Sequence, residues 1–301
     1  MEDFVLPTPT GQENKVIQPA EILDGKEALG LAESMRTYSL ESGDLLYAGT
    51  DKGIDYKDHN EDRIVVVPAK NFAAVVDGMG GLEQGEVAAQ ILAEELKALP
   101  TDVKSAAQNA ITKMVEHKIQ KGGAVFVSCR LLIEHDSKFF ELFQLGDSSL
   151  VVIDTSGHVV FESEDDSMTG RLVADGVITP DQALYFGTRH MVSSAVSPNK
   201  AVEITIPKSC EKVKLEKGNT VILMSDGISD NLTVEDIAKK IKEGLSPKEL
   251  FTWISTETDR RMRDASKIIE FSERKKNGIY SDGFKSEPKP DNRALAILEI
   301  K

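Results

Sequence analysis

A short apolar run that stops on an acid and breaks into glycine occurs twice in this chain, at Phe72–Gly81 (FAAVVDGMGG) and at Val221–Gly227 (VILMSDG). In the first, Phe72 to Val76 read as a buried strand, Asp77 closes it, and Gly78, Gly80 and Gly81 follow. A strand that ends this way sets a charge at the rim of a sheet. Glycine there lets the backbone turn sharply and bring its own carbonyls close to a ligand. An amphipathic helix follows at once, with Ala88, Ile91, Leu92, Leu96 and Leu99 on one face. One Asp–Gly turn is most often only a turn. Its return at the end of a second strand, with Asp230 four residues beyond Asp226, carries more weight.

Around these two units the chain divides simply. Residues 1–40 read as an N-terminal extension without chemistry of its own, polar and proline-bearing at first, with one helix over Ala20–Met35 interrupted by Gly25 and Gly30, the whole either disordered or docked on the body. The body, residues 41–301, opens with the strand LLYAGT, the polar loop DKGIDYKDHNED and the strand RIVVVP, so Asn60, Glu61 and Asp62 stand just before a strand. Helices are expected over Gln84–Leu99 and Val103–Gln120, split by Pro100. The strands GAVFVSCRLLIE, KFFELFQLG, SLVVID and HVVFES follow on short connections, which makes this part of the sheet antiparallel. The second of them ends at Gly146–Asp147–Ser148. Residues 164–198 hold two short helical pieces around Gly176, too polar for a core element, and read as an inserted flap. Strands AVEITIP and KVKLE lead to the second strand–acid–glycine unit, and helices over Thr233–Glu243 and Pro247–Lys275 come after it. A loop rich in Gly, Pro and Lys then delivers Asp291–Asn292 to the last strand, RALAILEI.

Bulk properties narrow the partners. The 301 residues, 40% hydrophobic and 29% charged, suffice to bury a full core. A net charge of −14 argues against nucleic acid or an anionic membrane as the main partner. Cys129 and Cys210 stand far apart without metal-ligand spacing, so a disulfide framework is not expected, in keeping with a reducing compartment. No apolar run reaches bilayer-spanning length, and the opening MEDFVLPTPTGQENK lacks the basic start and hydrophobic stretch of a secretory signal. The expectation is a cytoplasmic protein.

Asp62, Asp77, Asp147 and Asp226 sit at strand ends beside turn residues, and Asp291 makes a fifth at a strand entrance. If those ends converge, several carboxylates meet with little basic compensation. Like charges that close stay ionised together only around a cation, so the set predicts bound metal. All-oxygen donors favour a hard octahedral ion, Mg²⁺ or Mn²⁺, over zinc. Two such ions sharing a carboxylate activate a water and clamp a phosphoryl oxygen.

The set NED (Asn60–Asp62), DGMGG (Asp77–Gly81), GDS (Gly146–Ser148), SDGISD (Ser225–Asp230) and DN (Asp291–Asn292) resembles, in order and spacing, the metal-dependent type 2C protein serine/threonine phosphatases. The match runs along about Leu45 to Ile300, and the flap stretch is similar to that of the bacterial branch. The resemblance implies an α+β fold, an α-β-β-α four-layer sandwich of two antiparallel sheets with a small flap insertion and metals in a cleft at one edge. It implies that Asp77 bridges two Mn²⁺ or Mg²⁺ ions and that the Gly78 carbonyl binds one of them. Glu61 would ligate an ion or hold its water, and Asp62 would lie in the inner or next coordination sphere. Asp226 and Asp291 would hold the other ion, and Asp147 and Asp230, with Asp226, a weaker third. The implied reaction is direct attack of metal-activated water on phosphoserine or phosphothreonine in a phosphoprotein substrate, with no phosphoenzyme.

Three positions depart from that pattern. The family usually places arginine five residues before the NED aspartate to bind substrate phosphate; here Lys57 supplies charge without a bidentate fork. Ser149 follows GDS where arginine is common, and the flap opens Asp165–Asp166–Ser167 in place of Asp-His-Ser. These touch substrate handling and remove no expected ligand. His59, beside the acids, is a candidate proton donor to the leaving oxygen. Two alternatives stand beside the phosphoprotein phosphatase: a small-molecule phosphomonoesterase on the same scaffold, and a catalytically weak scaffold that binds phosphoproteins. Oligomeric state is left open.

Overall fold

Apolar strands joined by short turns bury both faces only when two sheets stack and helices cover the outsides. The computed structural model describes residues 17–54, 59–79, 84–184, 186, 189, 191–198, 208–209, 212–264, 269–271, 284–286 and 290–301. In chain order the strands are β1 (Glu21–Leu23), β2 (Arg36–Ser39), β3 (Leu45–Asp51), β4 (Arg63–Val67), β5 (Phe72–Met79), β6 (Gly123–Glu134), β7 (Ser137–Leu145), β8 (Ser149–Ile153), β9 (Val159–Glu162), β10 (Lys208–Ser209), β11 (Val213–Leu215), β12 (Thr220–Met224), β13 (Ile269–Phe271), β14 (Phe284–Ser286) and β15 (Arg293–Glu299). The helices are α1 (Leu31–Ser34), α2 (Gln84–Ala98), α3 (Val103–Glu116), α4 (Met168–Ala174), α5 (Pro180–Ala183), α6 (Asp226–Ser229), α7 (Val234–Lys242) and α8 (Pro247–Arg263).

One sheet runs β1-β4-β5-β6-β7, with β10 and β11 both along the free side of β7; the other runs β2-β3-β15-β12-β8-β9. Every pairing in both is antiparallel. Successive side chains of each strand serve different layers. Ile64, Val66, Ala73 and Val75 face Val221, Leu223, Ala296 and Leu298 across the space between the sheets. Val65, Phe72, Ala74 and Val76 turn outward onto Ala88, Leu92 and Leu96 of α2 and Ala106 and Ala110 of α3. On the far side Ile222, Leu295 and Ile297 pack against Ile237 of α7 and Leu250, Phe251 and Ile254 of α8. The result is the expected four-layer α-β-β-α sandwich. Strands buried on both faces explain why their sequences read as unbroken apolar runs.

Register decides where the acids go. Arg63 pairs with Val76, Val76 with Phe126, and Phe126 with Leu145, so the start of β4, the end of β5 and the end of β7 share one rim. In the second sheet Asp51 pairs with Arg293, and Met224 with both Leu295 and Ser149. The loops carrying Asn60–Asp62, Asp147, Asp226 and Asp291 therefore emerge at one end.

Some expectations need correcting. No single helix forms over Ala20–Met35; β1, a turn at Gly25 and the one-turn α1 occupy that stretch, and β2 follows it. The edges of both sheets offer backbone partners, β4 for β1 and β3 for β2, and that pairing outweighs a helix already broken by two glycines. Asp77 does not end its strand, because β6 extends far enough to pair Asp77 with Val125 and Met79 with Gly123. The flap holds α4 and α5, started by Ser167 and by a Thr179–Gln182 capping box. The helix expected to run to Lys275 ends at Arg263, and Ile269–Phe271 form β13, paired with β14. The expected strand AVEITIP, residues 265–268 and 272–275, Gly80, Gly81 and Lys57 lie outside the described residues. Among the described residues no helix is long and apolar enough to cross a membrane.

Candidate metal centre

Asn60 shapes the loop before β4. Its Oδ1 accepts from the Asp62 N–H at 3.1 Å, and its Nδ2 donates to Thr50 Oγ1 at 3.0 Å and to the Asp24 carbonyl at 2.7 Å. From the other sheet, Asn292 Oδ1 accepts from the Glu61 N–H at 2.9 Å, while its Nδ2 donates to the carbonyls of Lys52 (2.9 Å) and His59 (3.3 Å). The two asparagine amides thus fix both ends of the acidic turn. Ser225, at the end of β12, donates its hydroxyl to Asp62 Oδ2 at 2.6 Å and accepts from the Ala294 N–H at 2.9 Å. Gln144 Nε2 reaches the carbonyls of Gly146, Ser148 and Glu164, holding the turn that presents Asp147 against the base of the flap.

Gly78 lies where no side chain fits. A Cβ there would stand 2.4 Å from the Gly85 carbonyl oxygen and 3.0 Å from that of Glu61. The start of α2 is pressed onto the acid loop in the same way, since a Cβ on Gly85 would meet the Glu61 carboxylate at 2.7 Å.

The carboxylates feel one another. Burial pushes the Asp77 carboxyl well above its ordinary range, and the charges of Asp62, Asp226, Asp147 and Asp291 add to it. Part of Asp77 still reaches solvent at the cleft, so enclosure by protein rather than complete removal from water is the cause. Asp62, 1% exposed, is raised chiefly by burial; the Ser225 hydroxyl opposes this, and Asp291 and Asp226 reinforce it. Glu61 is pushed up to about 7, first by burial and then by Asp291, with His59 and Arg63 opposing. One set of charges therefore links Glu61, Asp62, Asp77, Asp147, Asp226 and Asp291, drawn from both sheets. Asp230 caps α6, with its carboxylate 3.5 Å from Arg189 Nε at the flap. Between flap and body lies a cavity of about 370 Å³, lined by Asp147, Asp165, Asp226, Asp230 and Arg189 among others.

As placed, no three His, Cys, Asp or Glu side chains among the described residues are grouped tightly enough to hold an ion. The set fits a cation by its chemistry. It offers carboxylate oxygens, and it carries a repulsion that a bound cation would relieve.

Several contributors carry no sequence signal of their own. Arg63 is 1% exposed and donates to the carbonyls of Asn60 (2.6 Å) and Asp62 (2.9 Å), to Gln90, and to Glu86 at 3.1 Å. Arg293, equally buried, forks onto Asp51 and pairs with Asp259 of α8. A charged residue opening a strand reads from sequence as an exposed end, and Gln144 reads as an ordinary strand residue.

The protein phosphatase 2C family profile matches residues 51–264. The chain belongs to the protein phosphatase 2C family. It is 27% identical over 211 residues to the serine/threonine protein phosphatase PstP of Mycobacterium tuberculosis, covering 66% of this chain and 39% of that protein. The match thus spans about two-fifths of that relative's length. A putative protein phosphatase 2C-type of Streptococcus pyogenes is 24% identical over 199 residues, covering 60% of this chain and 78% of the relative. The solved catalytic domain of PstP in complex with two manganese ions shares the fold, with a TM-score of 0.62 and 21% identity over 85% of this chain and 98% of that one. Stp1 from Staphylococcus aureus superposes equally well, with a TM-score of 0.62, 18% identity, and 85% and 94% coverage.

Proposed function

We propose that this chain is a Mn²⁺- or Mg²⁺-dependent phosphatase acting on phosphoserine and phosphothreonine in proteins. The observation that carries this reading is the convergence of carboxylates from two sheets at one rim of a family member's sandwich, where Asp226 and Asp291 add to the rise that burial imposes on Asp62 and Asp77. Asp77 and the Gly78 carbonyl would hold the shared position, Glu61 and Asp62 one side, and Asp226 and Asp291 the other. Asp147 and Asp230 would serve a third, weaker ion. A divalent pair, when bound, supplies an activated water and positive charge for the phosphoryl oxygens.

The chain's own residues do the rest. The Asn60 and Asn292 amides hold the Glu61–Asp62 turn in register with Asp291. Ser225 favours the ionised form of Asp62 by donating to it, against the rise that burial imposes. Lys57 is proposed to bind the substrate phosphate and His59 to give a proton to the leaving oxygen. The complex of PstP with two manganese ions supports the choice of metal.

The test is hydrolysis of an aryl phosphate and of phosphoserine and phosphothreonine peptides, titrated with Mn²⁺ and then with chelator. Metal-dependent turnover of the peptides is expected. Turnover confined to small phosphate esters would replace the substrate assignment. A protein that binds Mn²⁺ in calorimetry yet turns over nothing would leave a phosphoprotein-binding scaffold.

A further inference from the structure

The segment ahead of the family match is built into the back of the acid loop. β1 pairs with β4, immediately after Asp62, with Leu23 opposite Ile64. The next residue, Asp24, gives its carbonyl to Asn60 Nδ2 at 2.7 Å. Gly25 follows in the left-handed region (φ +56°), so close to the body that a Cβ would stand 2.1 Å from the Thr50 carbonyl oxygen and 3.0 Å from Asn60 Nδ2. Lys26 then reaches Glu86 at 2.7 Å, the carboxylate that also takes Arg63 at 3.1 Å. Arg63 in turn donates to the carbonyls of Asn60 and Asp62.

Beyond this turn the segment crosses to the second sheet. Ala32 N–H donates to Ser255 Oγ of α8 at 3.0 Å, and β2 pairs along β3. The two ends are tied together as well, since Tyr38 OH donates to Glu21 at 2.7 Å. The strap therefore joins both sheets, and its Asp24–Lys26 turn is the part that touches the motif Asn60–Asp62.

We infer that Asp24–Gly25–Lys26 is a latch that positions the acid loop, making Gly25 and Lys26 positioning residues for the metal centre although both lie outside residues 51–264. Asn60 spends one amide proton on the latch and one on Thr50, and its Oδ1 on Asp62 N–H. With the Asp24 carbonyl withdrawn, that proton loses its described acceptor, and only Thr50 Oγ1 and the Asp62 N–H still hold the amide. Partners that orient ligands in this way typically account for about 10- to 100-fold in metal affinity. The inference rests on the proposed metal site for its binding readout only.

The test compares Gly25→Ala with Gly30→Ala in the full chain. Gly30 has open space around it and extended backbone, so its substitution serves as the matched control. In Gly25→Ala, faster amide hydrogen exchange at Glu61, Asp62 and Arg63 and an about 10- to 100-fold weaker calorimetric Mn²⁺ affinity are expected. Turnover should fall through kcat at saturating aryl phosphate, and Gly30→Ala should match wild type. Exchange and affinity in Gly25→Ala within about twofold of wild type would overturn the latch. Should Gly25→Ala fail to fold, Lys26→Ala and Lys26→Arg decide. The half-exposed Lys26–Glu86 pair predicts an about two- to fivefold loss in Lys26→Ala that Lys26→Arg restores. No loss in Lys26→Ala overturns the latch equally. If wild-type protein binds no Mn²⁺, the metal reading fails, and the exchange rates alone still decide the latch.

Discussion

Ser225 and Asp62 lie 163 residues apart in sequence, yet the serine hydroxyl donates to the buried carboxylate at 2.6 Å. The same oxygen accepts from the Ala294 N–H, so one hydroxyl joins the ends of β12, β15 and the loop before β4. It also opposes the rise that burial imposes on Asp62. Ser225→Ala should leave the fold in place, weaken Mn²⁺ binding by about 10- to 100-fold, and move the pH at which binding sets in upward. Calorimetric titrations across pH check both. Unchanged affinity would remove Ser225 from the site.

Asp77→Asn and Asp226→Asn should each bring turnover of an aryl phosphate to background. Both substitutions keep shape and delete a charge that repels its neighbours, since Asp62 and Asp226 raise Asp77. In chelator the variants should melt no lower than wild type, and Asp77→Asn slightly higher. Retained turnover in both would sink the metal assignment.

The metal-free protein should be more stable in mild acid than in base. Glu61 in the folded state is pushed up to about 7 from an ordinary 4.5, and Asp62 and Asp77 rise likewise. A raised carboxyl stabilises the fold fully below its unfolded pKa, and that contribution is lost as pH climbs through the folded value. The groups held low, such as Glu257 at about 2, change only in stronger acid. With chelator present, the Tm at about pH 5.5 should exceed that at about pH 8 by a few degrees. Saturating Mn²⁺ should abolish or reverse the difference, and Glu61→Gln should flatten part of it.

Arg293 predicts a different kind of loss. It is 1% exposed, forked onto Asp51 at 2.9 and 2.5 Å, and hydrogen-bonded to Ser255 O and Thr258 Oγ1 of α8. Arg293→Met alone strands the buried Asp51 carboxylate and should cost about 3–5 kcal/mol in urea unfolding. Adding Asp51→Leu should recover most of it, because the well-packed apolar pair needs no desolvated charge.

The acids were legible because residue type and position coincide: apolar runs that stop at Asp beside glycine can be read without knowing what they pair with. The first outer helix was legible from its apolar face, since Ala88, Ile91, Leu92 and Leu96 fall on one side and pack onto the sheet. The segment over residues 20–39 was not. β1 and β2 have three and four residues, too short for a period of two to show, and their partners lie outside the local sequence. Arg63 and Arg293 were illegible for the opposite reason. Burial of an arginine depends on acceptors from several elements, and no local pattern announces Glu86 or Asp259.

The strands that flank the acids divide between the sheets, β4 and β5 in one, β12 and β15 in the other. An ion held jointly would act as a rivet through two pleated plates that greasy side chains pack and a few hydrogen bonds, Ser225 to Asp62 and Glu61 to Asn292, already tie. Any substitution that lets the plates slip, even at Leu223 or Val75 deep between them, should register as softened ion binding before melting reports it. Free ion concentration would then add to the stability of the whole sandwich, rising as the logarithm of concentration over Kd.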